Sequence, residues 1–172
     1  MSWKKEISQI KLREKLAKQQ GGSEAVKVQH DKGRLTLRER IDLLLDKDSF
    51  DEIGKVAGGA EYDDEGNLLS LTPANFILGF GKIEGQDVIV GGEDFTVKGG
   101  SPNAAGLRKS VYTEGLAVKH KFPLVRLHEG GGGSVAGPSK EKKGYGGDPV
   151  FARSRFKSVA QTLKEVPVVS AA

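Results

Sequence analysis

Cysteine is absent from the 172 residues, which removes thiol nucleophiles, disulfides and thiolate metal sites together and fits a reducing compartment. The three histidines, His30, His120 and His128, are scattered, and no H-E-x-x-H spacing accompanies them, so no metal site is expected. No apolar run approaches the roughly 18 residues of a membrane span. The amino terminus Met1-Ser2-Trp3-Lys4-Lys5 leads into charge, not into the apolar core of a signal peptide. Aromatic residues make up 6% of the chain and do not alternate with basic ones as stacking platforms would. These absences give the expectation of a soluble intracellular protein without membrane or nucleic acid as partner.

Glycine is what the chain has in abundance. The 24 glycines raise a thin hydrophobic fraction of 37% to an ordinary apolar-plus-glycine share, which suggests that function leans on backbone. The length suits one domain with a real core. A net charge of +4 conceals blocks of opposite sign: residues 1–40 carry 11 Lys/Arg against 5 Asp/Glu, residues 41–100 carry 4 against 13, and residues 101–172 carry 12 against 5. Arg34, Arg38 and Arg40 are therefore expected to pair with the acidic middle block.

A charged amphipathic helix is predicted from about Lys4 to Gln20, with Ile7, Ile10 and Leu16 on its apolar face and Gly21-Gly22 ending it. Thr36-Leu37-Arg38-Glu39 has the form of a capping box, and Leu37, Ile41, Leu44 and Leu45 follow as one helical stripe. Phe76–Leu78, Val88–Val90 and Phe95–Val97 read as strands, with Glu84-Gly85-Gln86 as a hairpin turn and Gly58 to Asn67 as an exposed loop. Ser101-Pro102 is expected to cap a helix that runs to about His120. Leu124–Leu127 then forms a strand, Asp148-Pro149 opens a second helix to about Lys164, and Pro167–Ser170 forms another strand. Strand–helix alternation of this kind implies parallel pairing. Val168 and Val169 call for cover that the chain, stopping two residues after Ser170, does not supply, so a longer parent protein is expected.

Between the strand Leu124–Leu127 and its following helix stand His128-Glu129 and four glycines, Gly130 to Gly133, before Ser134. Ordered glycine is entropically costly, so the segment needs left-handed turns or bare amides close to a ligand. Gly132 and Gly137 have P-loop spacing, but Pro138-Ser139 replaces the required Lys-Ser/Thr. Gly131, Gly133 and Ala136 fit G-x-G-x-x-A, but Gly137-Pro138 interrupts the helix that should follow. An anion-binding turn with amides facing a phosphate or an oxyanion remains alongside these readings.

Longer blocks carry a resemblance. Gly33-Arg34-Leu35-Thr36-Leu37-Arg38-Glu39-Arg40-Ile41, Leu44-Leu45-Asp46 and Ser49-Phe50-Asp51-Glu52-Ile53-Gly54 resemble the opening of biotin-dependent acyl-CoA carboxylase carboxyltransferases, the beta subunits of the propionyl-CoA and methylcrotonyl-CoA type. Thr72–Ile77, Gly79–Ile83, Glu93–Ser101, Lys109 and Val166–Ser170 continue it in order. The resemblance implies an incomplete α/β, crotonase-like superhelix of β-β-α units, truncated within residues 1–172, with a helical segment at about 4–46 and a core at about 50–172. It implies an amino-terminal half that binds acyl-CoA and a carboxyl-terminal half that receives carboxybiotin from a biotin carboxylase and carrier partner. The active site would lie between subunits of a homo-oligomer, in the bacterial cytoplasm or the mitochondrial matrix. Released biotin would act as the base, and backbone amides would hold the oxyanions.

By the same resemblance Gly99, Gly100, Ser101, Lys109, Gly130, Gly131, Gly132, Gly133 and Ser134 are candidates for acyl-CoA binding, with His128 lining the pocket. Arg108 and Lys119 are further candidates for CoA phosphates. Ser134 stands where the propionyl type carries arginine. No catalytic residue is expected within the chain, because the thioester oxyanion amides would follow Ala172. Two alternatives go with this reading: a non-catalytic CoA- or nucleotide-binding assembly module, and a biotin-dependent acyl-CoA decarboxylase.

Overall fold

The computed structural model describes residues 3–101, 103–129 and 155–172. Three helices open the chain: α1 (Lys4–Ala17), α2 (Ser23–Asp31) and α3 (Leu37–Leu44). The capping box of α3 forms as expected, with Glu39 N–H donating to Thr36 Oγ1 at 3.4 Å and Thr36 N–H donating to Glu39 Oε2 at 2.7 Å. α1 ends three residues earlier than predicted, and its expected apolar face is open: Ile7 and Ile10 are exposed, while Ala17 is buried. α2 has no counterpart in the sequence reading.

Strands β1 (Asp51–Glu52), β4 (Phe76–Ile83), β5 (Gln86–Glu93), β6 (Leu124–Leu127) and β7 (Val168–Ala171) form one sheet in the order β1-β4-β5-β6-β7. β1, β4 and β5 pair antiparallel, whereas β5, β6 and β7 pair parallel. The β4–β5 turn is Glu84-Gly85, both at positive φ (50° and 78°), as a two-residue hairpin with the twist of its strands requires. Helix α4 (Ala104–His120) crosses from β5 to β6, and α5 (Arg155–Glu165) precedes β7.

Period-two alternation sorts the sheet's side chains onto two cores. Ile77, Val88, Val90, Val125 and Leu127 pack with Leu37, Ile41 and Leu45 of α3 and its end. Phe76, Leu78, Ile89 and Leu124 pack with Leu116 and Ala117 of α4 and with Val166. Gly91 lets α4 sit close to the sheet: a Cβ there would meet Thr113 Cγ2 at 2.9 Å and the Phe76 ring at 3.0 Å.

Three expectations are corrected. Gly58–Tyr62 is not loop but strand β2, paired antiparallel with β3 (Leu68–Pro73) in a separate two-stranded sheet, and the loop shrinks to Asp63–Asn67. Phe95–Val97 is not a strand, because the buried Asp94 carboxylate accepts from Thr96 N–H at 3.0 Å and Thr96 Oγ1 at 2.6 Å and turns the chain. The cap of α4 is Asn103, whose side chain accepts from Gly106 N–H at 2.7 Å, and not Ser101. Pro102, the Asp148-Pro149 helix start and the glycine segment lie outside the described residues. Among the described residues no helix is long and apolar enough to cross a membrane.

Candidate functional site

The carboxyl ends of β5, β6 and β7 lie side by side, and open α/β sheets bind their ligands at such ends. The parallel register that pairs Gly91 with Arg126 and Gly92 with Leu127 brings Glu93 to the exit of β6. Arg126 is the charged residue inside the apolar run Leu124–Leu127, and the pleat turns it toward α4. Its Nη2 lies 3.3 Å from Glu93 Oε1 and 3.2 Å from Ser110 Oγ, its Nη1 lies 3.5 Å from Glu114 Oε1, and its guanidinium sits 5.0 Å from the Phe76 ring centre. Ser158 of α5 donates to Glu114 Oε2 at 2.7 Å. A buried arginine is thus held by two carboxylates and an aromatic face, the arrangement such a charge needs away from water.

His128 continues the same side of β6. Its Nδ1 lies 3.3 Å from Glu93 Oε2, and its side chain is 46% exposed. That separation is an ion-pair distance without hydrogen-bond alignment, and Glu93 Oε2 is buried with no hydrogen-bond donor among the described residues. A cavity of about 240 Å³ lies between α4 and α5 over β6 and β7. Leu124, Val159, Leu163 and Val168 form its apolar walls, and Arg126, Glu114, His128 and Ser170 its polar parts.

The other candidates stand elsewhere. Lys98–Gly100 is a single 3-10 turn in which Gly99 and Gly100 have φ of 61° and 69°. The Gly100 amide donates to Val97 O and the Ser101 amide to Lys98 O, so both amides are used within the turn. Lys109 points inward: its Nζ donates to Gly54 O at 3.3 Å and lies 4.0 Å from Glu52 Oε1. Burial pulls its ammonium down from the usual lysine value to about 8, against the pull of Glu52. Arg38 grips Glu52 with both Nη atoms, at 2.9 and 3.2 Å, which is the expected pairing with the acidic block. Arg34 reaches Glu129 at 3.9 Å, while Arg40 donates to the carbonyls of His128 and Ala171 rather than to an acid. Arg108 and Lys119 are exposed on α4. Gly130, Gly131, Gly132, Gly133 and Ser134 lie outside the described residues.

A larger concavity of about 760 Å³, lined by Glu14, Lys18, Arg38, Asp42 and Lys47 among others, lies between the opening helices and β1. It is far in the sheet order from the parallel strands and holds none of the candidate residues. The cluster of Glu93, Glu114, Arg126 and His128 is the better site. The sequence reading found His128 but missed the other three.

A β-β-α unit built of β4, β5 and α4, followed by parallel β6 and β7, makes the chain part of a crotonase-like α/β fold. The family described as carboxyl transferase domain matches residues 28–166, and the chain belongs to that family. It is 38% identical over 116 residues to the biotin-dependent acetyl-/propionyl-coenzyme A carboxylase beta5 subunit of Mycobacterium tuberculosis, covering 66% of this chain and 21% of that protein. It is 34% identical over 137 residues to the methylmalonyl-CoA decarboxylase subunit alpha of Veillonella parvula, covering 78% of this chain and 27% of that one. A transcarboxylase 12S structure, hexameric and with methylmalonyl-coenzyme A bound, superposes with a TM-score of 0.76 at 26% identity over 99% of this chain and 32% of that one. The chain therefore spans between a fifth and a third of the length of these relatives.

Proposed function

We propose that this chain is the acyl-CoA-binding part of a biotin-dependent carboxyltransferase that moves a carboxyl group to an acyl-CoA thioester through its enolate. The observation that carries this reading is the family match over 28–166, which includes every strand of the sheet except β7 and leads to a polar cluster at the carboxyl ends of β5 and β6. Acyl-CoA is the substrate, bound along the β6 exit with His128 lining the pocket and Gly130, Gly131, Gly132, Gly133 and Ser134 as candidate contacts. Gly99, Gly100, Ser101 and Lys109 serve the site through the turn and the helix that support it. The working protein is a homo-oligomer, and a biotin-carrier partner brings the carboxyl group.

In such a system biotin supplies the carried carboxyl group. The described residues are a poor match for it: Arg126, the cation nearest the cavity, already faces Glu93 and Glu114, leaving no excess positive charge for an anionic carboxybiotin.

The full-length protein, supplied with a biotin carboxylase, a biotin carrier, bicarbonate and acetyl-, propionyl- or 3-methylcrotonyl-CoA, is expected to incorporate labelled carbon into an acid-stable acyl-CoA product. Failure with all three, in a protein shown to be folded and assembled, overturns the reading. The likeness to a methylmalonyl-CoA decarboxylase subunit supports the reverse direction as a second reading. Release of labelled CO2 from methylmalonyl-CoA without net carboxylation would favour it.

A further inference from the structure

A buried polar side chain says more about a helix than a buried leucine, because burial costs it free energy unless a partner is in place. Helix α2 buries one side chain along its nine residues, and that side chain is Gln29, 2% exposed. Its Nε2 donates to Glu129 Oε1 at 2.7 Å. Glu129 stands two residues past the end of β6, its side chain is 14% exposed, and Arg34 Nη1 lies 3.9 Å from the same oxygen.

The other end of α2 is tied to the neighbouring strand. Gly21 N–H, two residues ahead of the helix, donates to Thr96 Oγ1 at 2.9 Å, and that hydroxyl donates to Asp94, the residue after β5. The approach is so close that a Cβ on Gly21 would fall 1.9 Å from the Thr96 carbonyl oxygen. At 1.5 Å per residue α2 is about 14 Å long, and it crosses from the exit of β5 to the exit of β6, fastened at each. The two anchors also feel one another: burial raises the Asp94 carboxyl above its usual range, and the Glu129 charge adds to the rise. From α3, Arg40 holds the same exit, its Nη1 donating to the His128 carbonyl at 3.1 Å and its Nη2 to the Ala171 carbonyl at 3.4 Å. Packing alone does not ask for this chemistry. A leucine at position 29 would fill a similar volume, whereas an amide bonded to a carboxylate fixes one atom of α2 against one atom of Glu129.

We propose that α2 is a strap that positions the β6 exit for acyl-CoA, with Gln29 as a positioning residue acting through Glu129, an inference that rests on the acyl-CoA reading above. Gln29 does not touch the thioester. It fixes the point at which the chain departs from β6, so loosening it weakens acyl-CoA binding and leaves the encounter with the biotin carrier as it was.

The test uses the full-length assembled protein, with propionyl-CoA binding measured by calorimetry and initial rates measured while propionyl-CoA or the biotin carrier is varied. Gln29→Leu, which fills the space without the amide, is expected to weaken propionyl-CoA binding by about 2–30-fold, the range for residues that act on a site without touching its ligand. The KM for propionyl-CoA should rise alike and the KM for the carrier stay unchanged. Gln29→Glu sets carboxylate against carboxylate and should weaken binding at least as much. The exchanged pair, Gln29→Glu with Glu129→Gln, restores an amide–carboxylate bond with its ends reversed and should recover most of the loss. A merely structural role would lower the melting temperature and move both KM values together. Wild-type affinity in Gln29→Leu and Gln29→Glu, equal rises in both KM values, or an exchanged pair as weak as Gln29→Glu overturns the inference. Failure of wild-type protein to bind acetyl-, propionyl- or 3-methylcrotonyl-CoA overturns the acyl-CoA reading together with it.

Discussion

Two arginines, the half-buried Arg38 and the buried Arg126, have carboxylate neighbours in opposite numbers. Around Arg38 one carboxylate, Glu52, serves two cations, Arg38 and Lys109. Among the described residues, two carboxylates, Glu93 and Glu114, lie against the one guanidinium of Arg126. The first group closes on itself: it ties α3, β1 and α4 together and ends at the Gly54 carbonyl. In the second, Glu93 Oε2 has no hydrogen-bond donor among the described residues and faces His128 Nδ1 at 3.3 Å. The first cluster therefore links elements of the fold to one another, whereas the second stands at the edge of the cavity.

Breaking the second cluster at its centre should have the largest effect. Arg126→Ala leaves the buried Glu114 and the half-buried Glu93 without this cation and is expected to cost about 3–5 kcal/mol, measured by urea unfolding of the assembled protein. Ser158→Ala removes the hydroxyl that donates to Glu114 and is expected to cost about 1.5–3 kcal/mol, the range for a hydrogen bond to a charged group. The smallest effect should come from the first cluster. Lys109→Met leaves Glu52 still gripped by Arg38 and is expected to change stability at pH 7 by less than about 1.5 kcal/mol, in either direction.

The same substitution sharpens the contrast through pH. Folded Lys109 gives up its proton near 8, whereas an unfolded lysine keeps it to 10.5. Between those values the unfolded chain binds more protons, so the Lys109 contribution makes stability rise with pH across that window. Urea midpoints measured at steps through it should lose that rise in Lys109→Met. An unchanged slope would mean that the ammonium is not desolvated.

Most of the sheet was legible in the sequence because its signals are local. The Thr36–Glu39 capping box, the Glu84-Gly85 turn and the strand runs Leu124–Leu127 and Val168–Ser170 depend on residues within a few positions of each other. α2 was missed because it buries Gln29 rather than an apolar stripe, and β2 because all five of its residues are exposed and show no alternation. Phe95–Val97 has the composition of a strand, but the Asp94 carboxylate, whose own protonation burial favours, captures the Thr96 amide and hydroxyl first. His128 stood out because imidazole beside a glycine run is conspicuous. Glu93, Glu114 and Arg126 did not, since parallel pairing and a crossover helix bring them together, and neither leaves a mark in the local pattern. The odd arginine within an apolar strand was the one signal that could have pointed to them.

Strand β5 also acts as a spacer. Its eight residues, Gln86 to Glu93, hold the hairpin turn about 26 Å from the carboxylate that faces His128, at about 3.3 Å per residue. Asp46 fastens that turn, accepting from the amides of Glu84 at 2.9 Å and Gly85 at 2.8 Å. A fluorophore placed on Glu84 would therefore report the opening of the hairpin from a position the chemistry does not touch, and folding and turnover could be followed in one sample as separate signals.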